Sequence, residues 1–118
     1  MIRRSQTVDM TVKQSDGVTI VEPRGRLDTS AAPQFQEQFE ELVRTGSRRL
    51  LVDMHRVRYI SSFGFRALLL ASRYAERNNG KMVLCAIPPE VMEVVELGGF
   101  SEVFTICYTR EDALRTIW

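Results

Sequence analysis

Cysteine is scarce in this 118-residue chain, with two in all, Cys85 and Cys107, and no CxxC spacing between them. Both sit in short apolar, strand-like segments, so the reading is of two buried, reduced thiols, with no disulfide framework or cysteine metal site. Histidine is scarcer still: His55 stands alone. Charge of one sign is lacking too. Sixteen basic residues face fifteen acidic ones, a formal net charge of +1, which carries no nucleic-acid footprint. The basic pairs Arg3-Arg4 and Arg48-Arg49 read as solvated surface. No apolar run reaches the ~20 residues that span a bilayer. The opening MIRRSQTVDM lacks the apolar core of a secretory leader. Together these features point to a cytoplasmic protein without membrane insertion. No glycine-rich phosphate loop of the P-loop type occurs either.

What is present is an ordinary globular composition, 44% hydrophobic and 26% charged, long enough to bury one continuous core. Residues 8–14 (VDMTVKQ) alternate apolar and polar, Ser15-Asp16-Gly17 interrupts, and residues 18–24 (VTIVEPR) resume. That pattern is a β-hairpin whose second strand ends or frays at Pro23. The rhythm then becomes helical. Thr29 or Ser30 is placed to cap a helix carrying Phe35, Phe39, Leu42 and Val43 on one face, with Pro33 in its first turn and Gly46 at its end. Leu50-Leu51-Val52 is a buried strand. A helix over 62–78 follows, its polar stripe made by Arg66, Arg73 and Arg77, and Asn79-Gly80 stops it. Met82–Ala86 is a further strand, Pro88-Pro89 opens a helix that Gly98-Gly99 closes, and Val103–Tyr108 is the last strand. Thr109 caps a final helix over Ala113, Leu114 and Ile117.

The order β-β-α-β-α-β-α-β-α defines an α/β domain spanning 1–118. It has a mixed, mostly parallel sheet, about four helices and an antiparallel N-terminal hairpin. Sites in such sheets gather beyond the carboxyl ends of the strands. Two segments qualify, Gly25–Ser30 and Tyr59–Gly64, which would put Asp28 and Ser62 on one rim.

Three readings of Ser62 are open from the residues alone. As a helix cap it would satisfy a free backbone N–H, worth about 1 kcal/mol. As a nucleophile it would need His55 and Asp53, and the strained elbow G-x-S-x-G requires glycine where Ile60 stands. As a phosphate acceptor it suits the chemistry of a helix N-terminus, whose free N–H groups and dipole favour negative charge.

Three motifs in their mutual spacing, G-x-L-D at Gly25–Asp28, D-x-x-x-V-x-Y-I at Asp53–Ile60 and S-S-x-G with following leucines at Ser61–Leu70, resemble the STAS-domain proteins, specifically the bacterial anti-sigma factor antagonists. The resemblance runs over nearly the whole chain and implies one STAS domain over 1–118 that is not an enzyme and holds no cofactor or metal. It implies partner switching. The unmodified protein binds an anti-sigma factor that is also a GHKL-type serine kinase, and so frees the sigma factor. Phosphorylation of the serine two before the glycine, Ser62, releases it, and a metal-dependent PP2C-type phosphatase restores it. Asp28 is placed beside the acceptor. The partner-facing set is Asp28, Thr29, Ser30, Ser61, Phe63, Gly64 and Arg66, on a monomer. Ser61 stands where many members carry aspartate, which makes it a rival acceptor, and Phe63 is bulkier than the residue usual at its place. Phe65 matches a usual leucine of the core. The resemblance also admits a STAS module of another assembly, a lipid-transport complex or stressosome-like scaffold, or a nucleotide-binding STAS domain.

Overall fold

Val18, Ile20, Leu51, Val83 and Cys85 form one buried cluster, whereas Val21, Leu50, Val52, Met82 and Leu84 belong to another. Neighbouring residues of one strand thus enter different cores, as the two-residue period of a sheet covered on both faces requires. The computed structural model describes residues 9–118; Val8 and the Arg3-Arg4 pair lie outside them.

The strands are β1 (Met10–Ser15), β2 (Val18–Pro23), β3 (Gly25–Leu27), β4 (Arg49–Asp53), β5 (Val57–Ile60), β6 (Lys81–Cys85) and β7 (Thr105–Cys107). The helices are α1 (Ala32–Arg44), α2 (Ser62–Arg77), α3 (Pro89–Leu97) and α4 (Arg110–Thr116). Five strands make the main sheet in the order β1-β2-β4-β6-β7. Only β1 runs antiparallel, to β2, and every other neighbour is parallel. The hairpin turn places Asp16 and Gly17 at φ of 50° and 83°, the two positive angles of a tight turn that follows strand twist. β2 ends at Pro23.

The two sheet faces are dressed unequally. α1, α2 and α3 pack on one, where Phe35 and Phe39 meet edge to face at 4.8 Å and Phe65 stacks on Phe100 at 4.6 Å. α4 covers the other through Ala113 and Ile117.

Three expectations are corrected. The segments Gly25–Leu27 and Val57–Ile60 are strands and pair with each other in a separate two-stranded parallel sheet. The last strand is only Thr105–Cys107, because the chain after Gly99 (φ 75°) first makes a 3-10 turn over Phe100–Glu102, held by the Phe100 ring on Phe65. Cys85 is buried, but Cys107 on this edge strand is half-buried; both are free thiols. Among the described residues no helix is long and apolar enough to cross a membrane.

Candidate functional site

The small sheet brings the two rim segments together. Leu27 pairs with Ile60 at the end of β3 and β5, so the chain leaves both strands side by side, Asp28 on one and Ser61 on the other. The Ser61 N–H donates to the Leu27 carbonyl at 3.0 Å. Ser61 keeps extended backbone, φ −87° and ψ 170°, and its Oγ accepts the Gly64 N–H at 3.1 Å. That is an N-cap. The cap of α2 is therefore Ser61, and Ser62, the first helical residue, stands exposed beside it. The cap thus falls one residue earlier than the sequence predicts.

The following residues alternate between solvent and core as the helix turns. Phe63 is 56% exposed, Phe65 is fully buried, and Arg66 is exposed one turn beyond Ser62. Gly64 is buried against the other strand: a Cβ built on it would lie 2.4 Å from the Leu27 carbonyl oxygen and 2.8 Å from Ile60 Cγ1. Glycine lets the start of α2 sit directly on the end of β3. This contact ties the S-S-x-G motif to G-x-L-D.

Asp28 organises its own side of the rim. Its Oδ1 accepts the Ser30 hydroxyl at 3.0 Å and the Ala31 N–H at 3.1 Å. Neither Thr29 nor Ser30 caps α1: the N-cap position is Ala31, without a side-chain bond, and both lie in the turn before it, which Asp28 closes with its side chain. The Ser30 hydroxyl first, then the Ala31 N–H, hold the Asp28 carboxyl below the ordinary carboxylate range, with Arg26 adding to the same effect. Asp28 is thus a fixed negative charge at neutral pH. Arg26 lies 3.8 Å from it and stacks over Tyr59 at 4.2 Å. Thr29 and Ser30 are exposed.

A second cluster sits at the carboxyl ends of the main sheet. Asp53, 4% exposed at the end of β4, bonds His55 Nδ1 at 2.7 Å and the His55 N–H at 3.1 Å through Oδ1. Its Oδ2 accepts Arg110 Nε at 2.9 Å, and Arg110 also donates to Glu22 at 2.7 Å. Asp53 and His55 do meet, but their company is an arginine and a glutamate in place of a serine. Glu22, Asp53 and His55 offer three ligand atoms within 4.8 Å of one another; the Arg110 guanidinium already engages both carboxylates as their counter-ion. Burial alone would push the Asp53 carboxyl up, yet the bonds from His55 and Arg110 outweigh it and hold it below its ordinary value.

A carboxyl held low in the folded state contributes stability above its unfolded pKa of about 3.9, and that contribution disappears as pH falls through the lower folded value. Stability is therefore expected to decline below about pH 4, in part through Asp53. Arg110→Ala should cost about 2 kcal/mol at neutral pH, since it leaves a nearly buried carboxylate without its guanidinium, and should flatten that acid limb. Urea unfolding across pH measures both. An unchanged acid limb in the variant would show that Arg110 does not set the Asp53 charge.

Sequence reasoning missed Arg110, whose partner Asp53 lies 57 residues away; no local pattern carries that pairing. Arg26 and Tyr59 lie in the two segments the sequence places on the rim, but their stacking follows only from the register of β3 on β5.

The STAS domain family matches residues 9–113 of the chain. BtrV of Bordetella bronchiseptica, named as a candidate anti-sigma factor antagonist, is 35% identical over 104 residues, covering 88% of this chain and 90% of that protein. Among solved structures, an anti-sigma factor antagonist of Mycobacterium paratuberculosis superposes with a TM-score of 0.83 at 23% identity, covering 95% of each chain. The Bacillus cell fate determinant SpoIIAA in its phosphorylated form gives 0.68 at 18% identity, covering 93% of this chain and 100% of that one. The two structures share the fold.

Proposed function

The chain belongs to the STAS domain family, and from that premise we propose that it is an anti-sigma factor antagonist, a non-enzymatic cytoplasmic protein that works by partner switching. Unmodified, it binds a GHKL-type anti-sigma factor kinase. The kinase phosphorylates Ser62, the complex dissociates, and a PP2C-type phosphatase resets the protein.

The observation that carries this reading is the division of labour between the two serines. Ser61 is half-buried with its oxygen committed to the Gly64 N–H, whereas Ser62 is exposed at the first position of a 16-residue helix. A phosphate on Ser62 would meet free N–H groups and the positive end of the helix dipole, so it adds charge without disturbing the fold. Phe63 beside it offers a partly exposed ring for a partner to cover. The names of the relatives and the phosphorylated state of SpoIIAA support the same chemistry.

The test is site mapping by mass spectrometry after incubation with the GHKL kinase partner and ATP. Phosphate is expected on Ser62, absent in Ser62→Ala and retained in Ser61→Ala. Asp28→Asn should slow the modification while leaving the unfolding midpoint near that of the wild type. Phosphate on Ser61 alone would move the acceptor by one residue. Failure of any GHKL kinase to bind the unmodified protein would remove the partner-switching reading.

A further inference from the structure

Arginines gather on the exposed side of the small sheet. Arg24, Arg56 and Arg58, together with Gly25 and His55, line a shallow depression in which Asp9 is the one carboxylate among the described residues. Asp9 is already engaged, 2.9 Å from Arg24. Arg56 and Arg58 are exposed and form no ion pair among the described residues. The strand pairing explains the concentration. The Gly25 N–H donates to the Arg56 carbonyl at 2.9 Å, and Leu27, Val57 and Ile60 turn into the core, which leaves the arginines outside. Arg26, stacked on Tyr59, extends the patch towards Asp28. The whole chain carries a formal charge of only +1, so this is segregation of charge and not general basicity.

We propose that this face is a docking surface for an acidic segment of a protein partner, whose carboxylates pair with the unengaged Arg56 and Arg58. Guanidinium forks match carboxylates in a bidentate geometry. The size of the surplus selects among anions. A nucleic-acid surface typically makes about 6–10 phosphate contacts, and a polybasic membrane anchor uses about 4–8 clustered basic residues. Here only Arg56 and Arg58 are unpaired among the described residues, and Asp9 already engages Arg24 in the same depression, which is too few cations for a continuous phosphodiester track or an anionic bilayer. A short acidic stretch of polypeptide matches that number of guanidinium groups. β5 leads directly into Ser61 and Ser62, so a partner seated on the rim can reach this face.

The experiment is an NMR titration of the intact protein with a short glutamate-rich peptide, at low and at physiological ionic strength. Shifts are expected at Arg56, Arg58 and Tyr59, with binding weakened by salt. The Arg56→Glu/Arg58→Glu variant should bind about tenfold more weakly. Arg58→Gln, which is milder, should lose about threefold and serves if the double variant does not fold. Shifts confined to other surfaces, or equal affinity in a folded variant, overturn the proposal. So does tighter binding of phosphatidylglycerol vesicles or a DNA duplex to the same face. Ser62→Ala protein should behave as wild type in this titration, so failure here leaves the phosphorylation reading standing, and failure of phosphorylation leaves this surface intact.

Discussion

Gly64→Ala is expected to destabilise the domain by about 3 kcal/mol, lowering the unfolding midpoint by roughly 10–15 °C. Two effects of opposite sign compete at this position. Alanine is favoured over glycine inside a helix by about 1 kcal/mol. Against that, the added carbon would stand 2.4 Å from the Leu27 oxygen, about 1 Å inside an ordinary carbon–oxygen contact. The obstructing atom is backbone, pinned by the Ser61 N–H and by the β3–β5 pairing, so it cannot swing aside as a side-chain tip would. Relief requires lifting the first turn of α2, which carries the buried Phe65 off Phe100 and loosens Leu68. The clash therefore wins over propensity. Arg66→Ala, an exposed change nearby on the same helix, should stay within about 0.5 kcal/mol of wild type. Chemical denaturation of the three proteins decides the matter; a Gly64→Ala protein as stable as the Arg66→Ala control would show that α2 does not need this approach.

That contact also marks how far the sequence could be read. The alternation in 8–14 and 18–24, the Asp-Gly turn and the apolar run Leu50-Leu51-Val52 each record their structure locally, because hairpins and doubly covered strands impose a short period on adjacent residues. Helix α1 was legible from Phe35, Phe39 and Val43, which are spaced by the helical repeat and all buried. The strands β3 and β5, with three and four residues, are too short to show a period. They exist because each pairs with the other across some thirty intervening residues. Only their register sets Asp28 beside Ser61.

At the rim, the residue types were visible and the assignments were not. Capping is decided by which oxygen falls within reach of the free N–H groups, and a one-residue shift of the helix start exchanges Ser61 and Ser62. Thr29 and Ser30 likewise fall before the cap position of α1, which is Ala31, inside a turn that the Asp28 carboxylate closes. The ion cluster of Glu22, Asp53 and Arg110 joins three elements distant in sequence, and individual charged letters do not announce such partners.

Phosphoserine at position 62 is expected to weaken the complex with the proposed GHKL kinase partner by at least a hundredfold, close to 3 kcal/mol. The unmodified rim carries Asp28, whose low pKa fixes one negative charge. Phosphate adds about two more at pH 7. A partner packed over Phe63 must then either leave that dianion in water, opening the interface, or bury it at a cost of several kcal/mol. Ser62→Ala removes only a hydroxyl from an exposed position, so its affinity should match wild type within about twofold. Ser62→Glu brings one charge on a flexible arm and should lose about tenfold, less than phosphate. The second phosphate proton binds near pH 6. Lowering the pH from about 7.5 to 5.5 should therefore return several-fold of the lost affinity to the phosphorylated protein alone. The folded state should not suffer: negative charge at the first turn of α2 stabilises the helix by about 0.3–1 kcal/mol, so the unfolding midpoint should stay level or rise slightly. Calorimetric binding and thermal unfolding of the same four proteins separate a local electrostatic switch from unfolding. A phosphorylated protein that binds as tightly as the unmodified one would end the switching account, and a lowered midpoint accompanying weak binding would replace it with destabilisation.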